Sequence, residues 1–130
     1  MNILKISGIY QLVIGLGMVG IWILHFLNGE VPELQTEPVR LAMHLLAEVA
    51  TGSMLLVSGC FILLKGKKKS LLFNLSFGAL LYSLIASPGY FAQMGKWGVT
   101  CMFLLLLITT VALLIVQDKR DKTDGNNEEF

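Results

Sequence analysis

Four apolar stretches fill almost the whole chain, and they limit the fold more than any other feature. No Asp, Glu, Lys or Arg occurs from Ile6 to Gly29, from Ser70 to Gly95, or from Trp97 to Gln117. The stretch from Leu41 to Leu64 holds one charged residue, Glu48. About 20 helical residues, at ~1.5 Å rise each, cross a bilayer core of ~30 Å, so every stretch is long enough to span it. A soluble domain of 130 residues, with 55% hydrophobic content and a mean hydropathy of +0.70, has too little interior to hide these side chains. Lipid around the molecule removes the difficulty. The expected fold is all-α: an integral membrane four-helix bundle. Short connections make consecutive helices antiparallel neighbours, so the topology is up-down-up-down.

The predicted helices cover about 4–27, 38–64, 70–87 and 96–117, and together form one four-transmembrane-helix domain, residues 1–117. The first apolar run is longer than a signal-peptide core and no small-residue cleavage pattern follows it, so it reads as a retained helix. Thr36-Glu37-Pro38 has the form of a helix start, with a capping hydroxyl, an acid and an early proline. Pro88-Gly89 is expected to end or kink the third helix. Residues 118–130 are charged and poor in apolar side chains, and read as a flexible cytoplasmic tail.

The net charge of +1 says little, but its distribution sets an orientation. Lys5, Lys65, Lys67, Lys68, Lys69, Lys119, Arg120 and Lys122 fall at one end of the predicted bundle; of the ten basic residues, Arg40 and Lys96 fall at the other. The positive-inside bias then predicts a multi-pass protein of the cell (inner) membrane with both termini cytoplasmic. Glu30, Glu33 and Glu37 make the first outer loop acidic. Tyr90, Phe91 and Trp97 suit an outer aromatic belt. Cys60 and Cys101 are expected at opposite depths, about 20 Å apart by rise per residue, too far for a bridge. No C-x-x-C occurs, so membrane thiol oxidoreduction has no support.

One motif misleads. Gly15-Leu16-Gly17-Met18-Val19-Gly20 matches the dinucleotide fingerprint letter for letter, but that fingerprint works at a strand-to-helix turn, and these glycines lie mid-helix. Close helix packing is the better account of them, as it is of Gly52, Gly59 and Gly78. Interleaved basic and aromatic residues are absent, so no nucleic acid is expected as a partner.

The chemistry-bearing feature is a stack on the second span. Glu37, Arg40, His44, Glu48 and Thr51 follow helical steps and share one face. A carboxylate at Glu48 costs ~3 kcal/mol to insert, which argues that this face turns into the bundle or a wet cavity. Trp22 and His25 lie on a matching stripe of the first span, with Gln11, Gly15 and Met18. The third span adds Tyr82 and Ser83. The predicted ligand-binding set is therefore Arg40, His44, Glu48, His25, Trp22, Tyr82 and Ser83. Two imidazoles and a carboxylate also suit a metal by ligand type, through His44, Glu48 and His25, although the spacing matches no zinc motif. Either His is chemically fit to be a haem ligand, but no cofactor signature is present. A purely structural reading has equal standing: Glu48 bonds a neighbouring polar side chain and fixes packing.

Met43-His44-Leu45-Leu46-Ala47-Glu48 and Ser87-Pro88-Gly89-Tyr90-Phe91-Ala92-Gln93, set on this four-span plan, resemble small four-helix prokaryotic membrane proteins and are similar in layout to DoxX-like proteins. The resemblance implies a fold and a location, and carries no activity and no functional residue.

The leading expectation is an outward-facing polar pocket that binds a small ligand, lipid or ion. An accessory subunit of a membrane complex is the second reading. An oligomeric proton-coupled transporter that titrates Glu48 is the third. The partners expected are the lipid bilayer, a small-molecule or lipid ligand, and a homo-oligomeric or membrane-complex neighbour. No nucleophile–base–orienter set is visible, so the chain does not read as an enzyme.

Overall fold

The computed structural model describes residues 2–29, 33–93 and 95–128. Glu30, part of the predicted acidic loop, and Tyr90's side chain, part of the predicted belt, lie outside what is described. The described residues form α1 (Ile3–Leu27), the single turn α2 (Glu33–Thr36), α3 (Pro38–Lys65), α4 (Ser70–Gln93) and α5 (Trp97–Glu128). Four of these helices are long and apolar enough to cross a membrane, so the chain is a multi-pass, all-α membrane protein.

Each boundary has a local cause. Asn2 caps α1, its side-chain oxygen accepting from the Leu4 N–H at 2.9 Å. Pro38 opens α3, where a missing N–H costs nothing. Gly66 closes α3 in the left-handed region at φ 69°, and its N–H returns to the Ile62 carbonyl at 2.8 Å.

Two helices run further than their sequence suggests. Pro88 lies inside α4, which continues to Gln93. Proline has no N–H and frees the carbonyl four residues back, that of Leu84, a loss that membrane helices tolerate. Pro88 is buried, and the Thr100 hydroxyl of α5 approaches the Pro88 carbonyl at 3.5 Å. Stacking of Phe91 on Phe103, centroids 5.5 Å apart, holds the same end of α4 on α5. The predicted tail is also helical as far as Glu128. Pairs four residues apart sustain it: Gln117 donates to Asp121 at 2.9 Å, and Lys122 to Asp118 at 2.8 Å. Lys68 reaches Asp121, and Arg120 reaches Asn2, so this extension also ties to the loop after α3 and to the N-terminus.

The bundle is built as two antiparallel pairs, α1 on α3 and α4 on α5, with α3 and α4 joining them. The α1–α3 seam is a contact between glycine backbones. A Cβ added at Gly59 would stand 2.7 Å from the Gly8 carbonyl, and one at Gly15 would stand 2.9 Å from the Gly52 carbonyl. No side chain larger than hydrogen fits either place, which is the small-residue route to close packing in lipid. Gly17, Gly20 and Gly78, assigned the same role from sequence, meet nothing within 4 Å.

Leu55, Ile62, Phe73, Phe77, Leu80 and Leu84 form the buried core, with Leu4, Tyr10, Ile14, Met18 and Phe103 packed against it. Buried polar groups cross-link this region. Gln11 Nε2 donates to Ser76 Oγ at 3.0 Å, and Ser76 passes its own proton to the Phe73 carbonyl. The Tyr10 and Thr110 hydroxyls share a hydrogen bond at 2.7 Å. Ser7 Oγ and Gln11 Oε1 are buried without a partner. The polar cross-links lie toward the end that carries both termini and the Lys65–Lys69 turn, called here the basic end, and the core runs from there past mid-span to Leu84 and Phe103.

Candidate functional site

The opposite half of the α1–α3 pair carries most of the predicted site. Met18 is the last α1 residue packed on the core, and Leu55 is the corresponding limit on α3. Trp22, His25, His44 and Glu48 lie beyond both. Helical position still aims them inward: His25 continues the line of Gln11 and Met18, and Glu48 that of Leu55 and Ile62, at seven-residue steps. The register that sets Gly8 against Gly59 and Gly15 against Gly52 brings Glu48 level with Val19.

Trp22 is the organising side chain. His44 approaches its ring edge-on, with centroids 5.6 Å apart, and His25 lies tilted at 5.9 Å. His25 Nδ1 contacts the Ile21 carbonyl at 2.7 Å. A carbonyl only accepts, so Nδ1 holds the proton and Nε2 is left as a free acceptor in the neutral ring. His44 is exposed. Glu48 is half-buried and has neither a hydrogen bond nor an ion pair among the described residues. Arg40 is 81% exposed and paired to Glu37 at 2.9 Å, so it stands at the rim.

The structure thus brings Trp22, His25 and His44 together and leaves Arg40 outside the cluster. It also separates Tyr82 from Ser83. Neighbours on a helix point about 100° apart, since 3.6 residues make a turn. Ser83 is buried against the bundle, whereas Tyr82 is 71% exposed on the outer side of α4. The two side chains therefore face different surroundings. Among the described residues, no group of three His, Cys, Asp or Glu side chains is close enough to hold a metal ion, so His25, His44 and Glu48 do not form a metal centre here.

The concavity in this half differs from the polar pocket expected. A shallow, open cleft of about 620 Å³ runs along the outer flank of the α1–α3 seam. Val19, Trp22, Ile23, Phe26 and Leu27 form one wall, and Ala42, Leu45, Leu46 and Val49 form the other. The lining is apolar except for the indole N–H of Trp22, and Glu48 is not part of it. Nothing in the sequence marked this cleft, because its residues look like any lipid-facing stretch. A second, smaller concavity of about 310 Å³ lies at the basic end, among Lys68, Ser70, Asn74, Gln117, Asp118 and Asp121. Cys60 and Cys101 are both free and exposed.

Comparison with known proteins places the chain without assigning it a chemistry. No curated protein and no solved structure matches it, and the DoxX-like layout seen in the sequence finds no counterpart in a match. Residues 1–128 match the DUF8058 domain of unknown function, so this four-span membrane protein belongs to the DUF8058 family.

Proposed function

We propose that the protein binds an amphiphile with a long apolar chain, taken up in the α1–α3 cleft, and recognises its head beside Trp22. The observation that carries this reading is the lining of the cleft. The groove, about 620 Å³, is open along its length, which suits a chain laid along the helix surface rather than an enclosed small molecule. Its walls carry no charge and, apart from the Trp22 indole N–H, no hydrogen-bonding side chain, which disfavours an ion or a polar small molecule as the occupant. Polar recognition is available only at the Trp22 end, where His25 Nε2 is a free acceptor and His44 is exposed. A protic headgroup, such as a hydroxyl, matches that acceptor.

The basic end faces the cytoplasm in this reading, and the cleft opens in the outer leaflet of the cell membrane. A cysteine at Gln35 then reacts with an impermeant thiol reagent in intact cells, and one at Lys67 does not; the reverse pattern inverts the orientation. Native mass spectrometry of the gently solubilised protein tests the binding. One amphiphile per chain is expected, retained by the parent and lost from Trp22→Ala. A mixture of exchangeable lipids, equal in both proteins, would show only an annular shell.

A further inference from the structure

The outer face of α4 carries a polar group where a lipid-facing helix should have none. Leu71, Asn74, Gly78, Tyr82, Ile85 and Gly89 recur at steps of three or four, and all are exposed. They form one continuous stripe. The opposite face of the same helix, with Phe73, Phe77, Leu80 and Leu84, is the bundle core. The stripe is therefore a second face with nothing packed on it. Tyr82 is its centre: 71% exposed and without a hydrogen-bond partner among the described residues.

Depth makes this costly. Tyr82 lies midway along Ser70–Gln93, about 18 Å from one end and 16 Å from the other at ~1.5 Å per residue. A phenol side chain is far shorter than either distance, so the hydroxyl cannot reach the interface, where tyrosines usually sit. Nor can it turn back on its own helix. Thr109, also exposed in mid-span, does so and donates to the Leu105 carbonyl at 2.9 Å; the ring of tyrosine holds its hydroxyl away from the backbone. Hydrocarbon offers no partner, and an unpaired polar group there is strongly unfavourable.

We propose that this face is the interface with a second copy of the chain, in a parallel dimer whose twofold axis lies along the membrane normal beside Tyr82. Copies inserted with one topology place their Tyr82 hydroxyls at the same depth. A hydroxyl is both donor and acceptor, so two related by a twofold axis satisfy each other. Gly78 and Gly89 have open space where a Cβ would stand, which lets two α4 backbones approach. This interface lies on α4, away from the α1–α3 cleft, and stands independently of the ligand.

The test uses the full chain in liposomes, in a Cys60→Ser, Cys101→Ser background. Ile85→Cys should cross-link to itself on oxidation, while Leu104→Cys, on lipid-facing α5, should not. Photobleaching on serial dilution in lipid should count two copies of the parent. Tyr82→Phe keeps the ring and should weaken association by about threefold to tenfold. Gly78→Leu should abolish it. Single copies at every dilution, no self-cross-link at Ile85→Cys, a cross-link only to another protein, or an unchanged Tyr82→Phe would each overturn the proposal.

Discussion

The two halves of the α1–α3 pair are made of similar residues and are built differently. In the basic half, glycine backbones touch, large apolar side chains fill the core, and buried polar groups bond across helices. In the far half no α1 residue beyond Gly15 is buried, and Glu48 has no hydrogen-bond or ion-pair partner among the described residues. The first arrangement is how helices associate when lipid competes for every apolar contact. The second gives up packing and leaves imidazoles and a carboxylate available. Tight packing is concentrated in one half, and the binding site proposed above lies in the other.

Substitutions should separate the halves. The largest effect is expected at the seam. Gly59→Ala places a methyl 2.7 Å from the Gly8 carbonyl, and should destabilise by about 1–3 kcal/mol in an SDS or thermal unfolding titration. Gly17→Ala is the control. Its Cβ meets nothing, and it should be neutral or gain up to about 1 kcal/mol of helix propensity. Equal effects at the two sites would erase the distinction.

Glu48 carries the next largest. If the far half is not built for stability, Glu48→Leu should not destabilise the fold. It should stabilise by up to ~3 kcal/mol, the cost of a carboxylate in mid-span. A marked loss of stability would reveal a structural partner for Glu48 and bring the far half into the packed core. At the surface of the basic end, Asp121→Asn removes the partly exposed Lys68–Asp121 pair and should cost no more than ~1 kcal/mol, less in high salt. A larger loss would mean that the α5 extension is part of the packed half.

The sequence made some of this legible and hid the rest for definite reasons. Length and lack of charge marked the four spans because a bilayer demands both. Gly15, Gly52 and Gly59 were assigned correctly to packing. Gly8 was missed, although the pairs Gly8–Gly15 and Gly52–Gly59 have the same seven-residue spacing and could have been matched. Gly17 and Gly20 show the converse, that a glycine motif does not say which face meets a partner. Pro88 suggested a helix end because that rule was learned in water, whereas here the helix runs on to Gln93 with Pro88 buried inside it. The α5 extension carries Gln117–Asp121 and Asp118–Lys122 at helical spacing, a signal outweighed by composition. The Arg40–His44–Glu48 stack was read from spacing, which fixes a face but not what stands opposite. The cleft left no sequence signal, since apolar residues facing lipid and apolar residues facing a ligand are the same residues.

The most direct test of the account uses Trp22 as its own reporter. Trp97 is the other tryptophan and is 65% exposed at the start of α5, so Trp97→Phe leaves Trp22 as the single indole. In liposomes, brominated single-chain amphiphiles should quench its fluorescence in a saturable way near one equivalent per chain. Filling the cleft with Val49→Phe should remove the saturable phase without lowering the unfolding midpoint. Quenching that rises only in proportion to the brominated fraction of the bilayer, and is unchanged by Val49→Phe, would contradict a binding site in the far half.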